Sequence, residues 1–457
     1  MRSCSTPLLV VFCGLAPVTQ VWNAPAAPPN ELIQSAPARI EQHRKGDVQI
    51  SLRGKDGRPV EGVTVHVRQV RHAFLFGGSV FPLVRAIQKG DLEPPFNEDD
   101  SFQSFRKHYV DLFNYATLPY YWWSYEREQG NPAHEICESV ASWCKQRNIT
   151  TKGHPLVWNY REPSWLPNDA TEIEKLQLAH VRNCVARFRG TVDIWDVVNE
   201  TTNFAQGPNK ARAPGMTSMW ETVGRIELPR RAFRTARKAN PAARLVINDF
   251  HVGDDFAEVV RGVVDDNGNP LYDAIGVQSH MHGGNWSNAK LWEVCERFAP
   301  FGRPIHFTEL TVLSGKKGWH RPQPWPSTPE GEAEQARAVA RIYTLLFSHP
   351  SVEAITWWNL TDGHAWMQAP AGLLRKDMSP KPAYQVLKKL ITKDWWTETT
   401  LKTDADGHAS FRGFYGQYEV LITMPGGGHR RVGDLEVRRS LREGTTRWVI
   451  GGSQSTE

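Results

Sequence analysis

The sequence predicts an α/β fold: a closed (β/α)8 barrel of the TIM type, with a small accessory β-sandwich-like module beside it. Eight short apolar runs recur along the chain. Their starts are separated by roughly 30 to 50 residues, the length of one strand, one helix and a return loop. Alternating strand patterns, in contrast, occur near the two ends. The apolar runs cover residues 74–80, 115–118, 151–158, 192–198, 244–250, 274–280, 304–310 and 354–360.

The stretches between these runs are predicted to be helices. In residues 332–347, for example, apolar side chains recur every three or four positions, as one face of a helix requires. The runs themselves are continuous rather than alternating, which is typical of parallel strands buried on both faces. Eight such units favour a closed barrel over an open sheet, and the barrel is predicted to occupy residues 73–394.

The accessory module is predicted from strands at both ends of the chain. Residues 48–52 and 63–67 alternate in polarity around the turn signal at 55–59. Two strands alone cannot bury a core, so we expect the carboxy-terminal strands to supply their partners. The module would then combine residues 36–72 with 395–457. The carboxy-terminal strands are predicted at 399–403, 409–411, 418–423, 434–438 and 447–450.

The amino terminus is predicted to be a signal peptide and linker over residues 1–29. Arg2 precedes an apolar stretch at 8–18, and a segment of small residues and prolines follows at 24–29. The apolar stretch is too short to span a membrane. This pattern predicts a secreted, periplasmic or cell-surface protein. Removal of the signal leaves four cysteines that could form up to two bridges, and their spacing matches no zinc site: Cys137, Cys144, Cys184 and Cys295.

The amino-acid composition indicates which class of molecule the protein binds. The formal charge of +5 comes from 54 basic and 49 acidic residues spread along the chain, so no dense basic patch is available for a nucleic-acid backbone. The 18 tryptophans suit the flat faces of sugars, although large aromatic side chains also fill cores. We therefore expect a polysaccharide or oligosaccharide partner, no nucleic acid, no membrane, no cofactor and a monomer.

Polar side chains cluster where the predicted strands end, on the face where barrel enzymes carry their chemistry. Two of them are carboxylic acids, Glu200 and Glu309. A carboxylate at the end of a buried strand is costly unless it is paired or functional, so the two together predict an acid and a nucleophile for glycosidic cleavage. The whole set is His154, Asn159, Asn199, Glu200, Asn248, Asp249, Gln278, His280, Glu309, Asn359 and Asp362.

Six short motifs, in the same order along the chain, resemble those of glycoside hydrolase family 10, the endo-β-1,4-xylanase family. The resemblance implies a barrel enzyme, and the flanking segments 44–48 and 411–420 are similar to those of the plant-type branch. The motifs lie at 153–158, 195–200, 276–280, 307–310, 356–359 and 380–384.

The resemblance implies a role for each site residue. Glu200 would be the general acid/base and Glu309 the nucleophile of a retaining mechanism, which needs two carboxyl groups about 5 to 5.5 Å apart. Asn199 would hydrogen-bond the sugar 2-hydroxyl. The remaining implied substrate-binding residues are His154 and Asn159, His280 beside Glu309, Gln278 beside Glu200, and Trp358 with Trp366 as walls around the sugar.

Three departures from the family pattern concern the substrate. Residues 117–123 replace a Glu-Asn-x-x-Lys-Trp run that grips the xylose on the non-reducing side, and they are rich in aromatics. Asn159 stands in place of a histidine, and Thr311 in place of an aspartate. Loss of polar groups that read sugar hydroxyls lowers discrimination, and aromatic replacements favour stacking.

Three functions follow. The first is a retaining hydrolase that cleaves internal bonds of a xylan-type polysaccharide. The second is a related hydrolase for a different, decorated or aryl-bearing β-glycan. The third is a carbohydrate-binding protein on a decayed enzyme scaffold. The retention of both carboxylic acids argues against this third function.

A metal site at His280 and His282 has no third ligand with supporting spacing, so no metal is expected. The glycan, endo or exo action, disulfide pairing and oligomeric state stay open.

Overall fold

A computed structural model describes residues 29–96, 100–192, 194–319, 324–424, 427–439 and 444–449. The predicted signal peptide and linker lie outside the described residues, except for residue 29. Eight parallel strands form the barrel, and the pairing of the last strand with both the first and the seventh closes it. The predicted (β/α)8 barrel is therefore confirmed. Its strands are β3 Leu75–Ser79, β4 Tyr115–Pro119, β5 Thr150–His154, β6 Ile194–Asn199, β7 Arg244–Asp249, β8 Ala274–Val277, β10 Ile305–Val312 and β11 Val352–Trp357.

Some predicted strands are longer than the observed ones, and local chemistry explains where they end. The run 151–158 leaves the strand after His154, because Pro155 has no N–H to donate to the ladder. The run 274–280 is interrupted after Val277, where Ser279 has a left-handed φ of 59°. The chain then resumes pairing as the short strand β9, His280–Met281, beside β10.

Helices cover the outside of the barrel. The predicted helix 332–347 lies within a longer one, Pro329–Ser348, whose amino end is capped by the Thr328 hydroxyl accepting from the Gly331 N–H. The helices are α1 Pro29–Gln34, α2 Ala36–Arg44, α3 Phe81–Lys89, α4 Gln103–Val110, α5 Trp122–Tyr125, α6 His134–Lys145, α7 Ala170–Arg187, α8 Gly207–Arg212, α9 Pro214–Val223, α10 Glu227–Ala239, α11 Asp254–Gly262, α12 Asn288–Phe298, α13 Pro329–Ser348 and α14 Pro382–Lys389.

The two ends of the chain meet in one β-module, as predicted. Strand β1, Lys45–Arg53, pairs with β13, His408–Phe414, and with β16, Gly444–Val449. Strand β2, Thr64–His72, pairs with β12, Glu398–Lys402, and with β14, Gly416–Thr423, and β15, His429–Val437, lies outside β14. Alternate side chains of the two sheets form a separate apolar core that includes Ile50, Leu52, Val65, Val67, Tyr418 and Val420. The boundaries 36–72, 73–394 and 395–457 stay predictions.

Two further predictions concern the cysteines and the membrane. The four cysteines at 137, 144, 184 and 295 are all buried and free, so in this structure they fill the core as small apolar side chains. Within the described ranges, no helix has the length and apolar character needed to cross a membrane.

Candidate active site

A cleft of about 1080 Å³ opens at the carboxyl ends of the barrel strands. Eight of the nine predicted site residues line it, and Asn159 does not. Because the carboxyl ends of parallel strands meet at one face of a barrel, residues far apart in sequence converge here. The eight are His154, Asn199, Glu200, Gln278, His280, Glu309, Trp358 and Trp366.

A chain of side-chain amides links the two carboxyl groups. Gln278 donates from Nε2 to Glu200 Oε1 at 3.0 Å and to Asn199 Oδ1 at 3.2 Å. Asn248 donates from Nδ2 to the same Asn199 oxygen at 2.8 Å and to Glu309 Oε1 at 2.9 Å. Each carboxyl group is thus fixed by an amide that is itself anchored to Asn199, which holds the pair in one geometry.

The amide of Asn248 is positioned by its neighbours. Thr308 donates its hydroxyl to Asn248 Oδ1 at 2.6 Å, which orients the amide so that its nitrogen faces Glu309. Gly276 lies so close that a Cβ there would be 2.3 Å from the same oxygen. A glycine is therefore required in this strand for Asn248 to lie flat across it. Sequence reasoning placed Asn248 at a strand end but gave it no role.

Glu200 occupies a strained backbone position directly after β6. Its φ is 57°, in the left-handed region that non-glycine residues adopt at a cost of order 1 to 3 kcal/mol. Its N–H donates to the Asn248 carbonyl at 2.9 Å. This turn aims the carboxyl group across the end of the barrel rather than along the strand.

The nucleophile candidate is held as a carboxylate. Burial by itself would raise the pKa of Glu309, but the charge of His154, the hydrogen bond from His280 and the charge of Lys152 outweigh it and lower the pKa. His280 Nε2 lies 3.1 Å from Glu309 Oε2, and His154 Nε2 lies 3.9 Å from Oε1. Glu309 is therefore ionised at neutral pH.

The acid candidate is held as a neutral carboxyl group. Burial raises the pKa of Glu200 to about 8, and the charges of Asp249 and Glu309 raise it as well, against the hydrogen bond from Gln278. The two carboxyl groups thus have opposite protonation states at pH 7, which is the arrangement that acid and nucleophile roles require.

A buried ion pair supports the site from inside the barrel. Lys152 Nζ lies 2.7 Å from Asp196 Oδ2, and both side chains are fully buried. His154 Nδ1 lies 2.8 Å from the same oxygen, so Asp196 fixes the imidazole ring with its other nitrogen toward Glu309. The pKa of Asp196 would be raised by burial, but Lys152 and His154 lower it.

We expect the variant Lys152→Met to lower the free energy of unfolding by about 3 to 5 kcal/mol, because it leaves the Asp196 charge buried without its cation. Urea unfolding followed by tryptophan fluorescence measures this. The double variant Lys152→Met/Asp196→Leu, which removes both charges, is the control and should recover much of the loss. A single variant as stable as the parent would contradict the assignment of this pair.

Aromatic rings form two walls of the cleft around the carboxyl groups. Trp358 is nearly buried and its ring centroid lies 6.0 Å from that of His280. Trp366 is 40% exposed and lies 4.7 Å from the His280 ring. A half-exposed indole beside His280, which itself contacts Glu309, offers an apolar face to a sugar ring.

Comparison with known proteins places this site in a family. Residues 115–390 match the model of glycosyl hydrolase family 10, which is more than half of the chain. The chain belongs to glycosyl hydrolase family 10. The matched range contains both carboxylic acids and all eight cleft-lining residues of the prediction.

Several curated relatives of this family 10 chain are xylanases. It is 28% identical over 290 residues to endo-1,4-beta-xylanase B of Thermotoga neapolitana, a match that covers 59% of this chain and 78% of the relative. It is 25% identical over 405 residues to an anti-sigma-I factor of Acetivibrio thermocellus, covering 87% of this chain and 47% of the relative. The chain thus spans about half the length of that factor.

Solved structures share the fold. Xylanase 10B of Thermotoga petrophila, in complex with xylobiose, superposes with a TM-score of 0.58 at 23% identity, covering 70% of this chain and 95% of that one. A family 10 structure from Paenibacillus barcinonensis gives 0.58 at 24% identity, covering 70% and 96%. The uncovered part of this chain is comparable in size to its accessory module and amino terminus.

The structure shows the contacts of two residues that depart from the family 10 pattern, Asn159 and Thr311. Asn159 is buried away from the cleft, and its Nδ2 donates to the Phe204 carbonyl at 2.8 Å and to the Thr217 hydroxyl at 3.0 Å. Its amide therefore supports the loop after β6 in this structure. Thr311 lies beside His280, with 3.5 Å between its hydroxyl and Nδ1, at the position where the family pattern has a charged partner.

The aromatic segment 120–123 divides between cleft and core. Tyr121 and Trp123 line the cleft, with ring centroids 4.8 Å apart in a stacked arrangement. Trp158 and Tyr160, which sequence reasoning did not assign to the site, extend the same surface and stack at 4.7 Å. We call these four residues the aromatic panel. Tyr120 and Trp122 are buried instead.

The loop after β10 contributes one ring to the cleft. Trp319 is 50% exposed and lines the cleft, whereas Trp325 is buried and donates its Nε1 to the Lys316 carbonyl at 2.9 Å. Of these two tryptophans, Trp319 is therefore the one that faces the cleft. Across the described part of the chain, no group of three His, Cys, Asp or Glu side chains could hold a metal ion.

Proposed function

We propose that this protein is a secreted, retaining glycoside hydrolase that cleaves internal β-1,4 bonds of a xylan-type polysaccharide by double displacement. The observation that carries the proposal is the pairing of a neutral Glu200 with an ionised Glu309 in one cleft. The xylanases among the curated relatives support the choice of xylan.

The first step forms a glycosyl-enzyme ester. A Glu309 carboxylate oxygen attacks the anomeric carbon, the glycosidic C–O bond breaks, and Glu200 gives its proton to the departing oxygen. Asn248 and His280 hold the attacking carboxylate. Loss of negative charge at Glu309 then lowers the electrostatic cost of an ionised Glu200.

The second step releases the sugar. Glu200, now a carboxylate, takes a proton from water, and the oxygen of that water attacks the anomeric carbon and displaces Glu309. Glu200 regains its proton and Glu309 its charge. Two inversions at one carbon restore the original β configuration.

The stereochemical outcome tests this mechanism. Proton NMR of the first product formed from xylan, before mutarotation, should show the β-anomer. A first product of α configuration would require an inverting mechanism and would rule out the nucleophile role of Glu309. A parallel comparison of sugar release from xylan, mannan, cellulose and mixed-linkage glucan tests the backbone, and release from xylan should be greatest.

The aromatic panel favours a second candidate function, that of a hydrolase for a decorated β-glycan.

If the panel contacts the substrate, Trp123→Ala should raise KM for the polymeric substrate roughly three- to tenfold, because one stacking surface is lost. The value of kcat should change little. Trp123→Phe is the matched control because it retains a ring. Equal KM values for the parent and the alanine variant would mean that the panel does not contact the substrate.

A further inference from the structure

The cleft has an excess of cationic side chains. Arg85, Lys89 and Arg127 line it, as does Arg212 at the end of α8. Glu200 and Glu309 are the acidic side chains that line it within the described residues, and a hydrolase of neutral glycans needs no further charge there. Four cations face two carboxyl groups, one of which is neutral at pH 7.

These cations have no ion-pair partner among the described residues, unlike many arginines on the outer helices. Arg187 pairs with Glu138 at 2.9 Å, and Arg231 with Glu174 at 2.7 Å. Arg212 instead donates to the Pro208 carbonyl within its own helix at 2.9 Å. Its guanidinium carbon lies 4.2 Å from the centre of the Tyr160 ring, which keeps the charged group on the cleft side.

The cations flank the aromatic panel. Arg85 shares a side pocket of the cleft with Tyr121, Trp358 and Trp366, and Arg212 lies over the ring of Tyr160. A sugar ring stacked on the panel would therefore present its substituents to guanidinium groups. Guanidinium binds carboxylate with two parallel hydrogen bonds, a geometry that gives selectivity as well as affinity.

We propose that the substrate of this cleft is an anionic glycan, a xylan-type chain with uronic acid side groups whose carboxylates bind Arg85, Arg127 and Arg212. The xylan backbone in this statement rests on the proposed function, whereas the anionic groups rest on the cations alone. A sulfate ester presents the same charge to arginine, so the experiment includes both sources.

Binding is measured by calorimetry with the full-length Glu309→Ala variant, which prevents turnover. The probes are a xylo-oligosaccharide with one glucuronic acid group, the same compound with its carboxyl group reduced to an alcohol, and a sulfated xylo-oligosaccharide. We expect the uronic acid form to bind roughly tenfold more tightly than the reduced form in 20 mM salt, and the difference to shrink in 500 mM salt as charges are screened.

The double variant Arg127→Gln/Arg212→Gln, in the same background, should remove most of the preference, to within about threefold of the reduced form. The matched control is Arg182→Gln, an exposed arginine on α7 that does not line the cleft, and it should retain the preference. If the sulfated probe binds as tightly as the uronic acid form, the cleft recognises negative charge alone. If the sulfated probe binds more weakly, the cleft recognises the geometry of the carboxylate.

Equal affinity for the charged and reduced probes, or a preference that survives in the double variant, overturns the inference. Hydrolysis assays with the parent enzyme distinguish failure of this inference from failure of the proposed function. If xylan is cleaved without preference for its acidic form, the proposed function stands and the inference fails. If the charged probe binds selectively but xylan is not cleaved, the inference stands and the proposed function fails.

Discussion

Replacing Glu309 with alanine should lower kcat on xylan by about 10⁴-fold or more, because Glu200, the other carboxyl group among the described residues of the cleft, is neutral and serves as the proton donor. Azide should then restore part of the activity, since a small anion fits the space left by the carboxylate. The azide product would have the α configuration, because one displacement inverts the anomeric carbon. The measurement is a rate assay with an activated aryl xyloside, followed by NMR of the product.

The control for this prediction is Glu330→Ala, which removes an exposed carboxylate in the first turn of α13. It should retain the parent kcat. Undiminished turnover in the Glu309→Ala variant would contradict the nucleophile assignment. A parent protein that turns over no glycan would instead favour the third function, a carbohydrate-binding protein.

Glu200 should control activity at high pH. Its pKa of about 8 means that the proton needed by the leaving group is present below pH 8 and is lost above it. We therefore expect kcat/KM to fall about tenfold per pH unit above this value. In Glu200→Ala, substrates with poor leaving groups should lose activity, whereas a dinitrophenyl leaving group, which needs no proton, should be released with no basic limb in the pH profile.

The raised pKa of Glu200 also has a consequence for stability. Between its ordinary value of 4.5 and about 8, the folded state binds more protons at this site than the unfolded state does. The contribution of Glu200 to the free energy of unfolding therefore falls as pH rises through this window. Glu200→Gln removes the titration, so the variant should gain stability over the parent from pH 5 to pH 8, on the order of 3 to 4 kcal/mol.

Thermal unfolding of both proteins at pH 5 and pH 8 measures this difference.

Gln278→Ala provides a second test of the pKa of Glu200, because the Gln278 amide donates to Glu200 and opposes the rise of its pKa. The fall of kcat/KM at high pH should therefore begin at a higher pH in the Gln278→Ala variant than in the parent. A parent enzyme whose activity is unchanged up to pH 10 would contradict the acid role of Glu200.

The barrel was predictable because its signal is repeated eight times and each repeat is chemically simple. Continuous apolar runs specify buried parallel strands, and the strands from Leu75 to Trp357 follow those runs. The ends of the strands were less predictable. Pro155 and the left-handed Ser279 end them through backbone geometry, which hydropathy does not record.

The site followed from sequence where function imposes residue type at a strand end, as at Glu200 and Glu309. Asn159 shows the limit, because a polar residue in the expected motif position can donate both amide hydrogens to its own scaffold. Asn248 shows the converse. Its contact with Glu309 depends on the absence of a side chain at Gly276 and on the Thr308 hydroxyl, neither of which is near it in sequence.

The sequence by itself determined the architecture, the pairing of the two termini in one module and the identity of both carboxylic acids, because hydrophobic periodicity and motif order are local properties of the chain. Only the tertiary structure decided the protonation of those acids, the aromatic panel and the cationic lining of the cleft. Burial and charge proximity set a pKa, and they arise from residues brought together by folding. Arg85, Arg127 and Arg212 are far apart in the sequence, and they line one cleft because folding brings α3, the segment after α5 and the end of α8 together there.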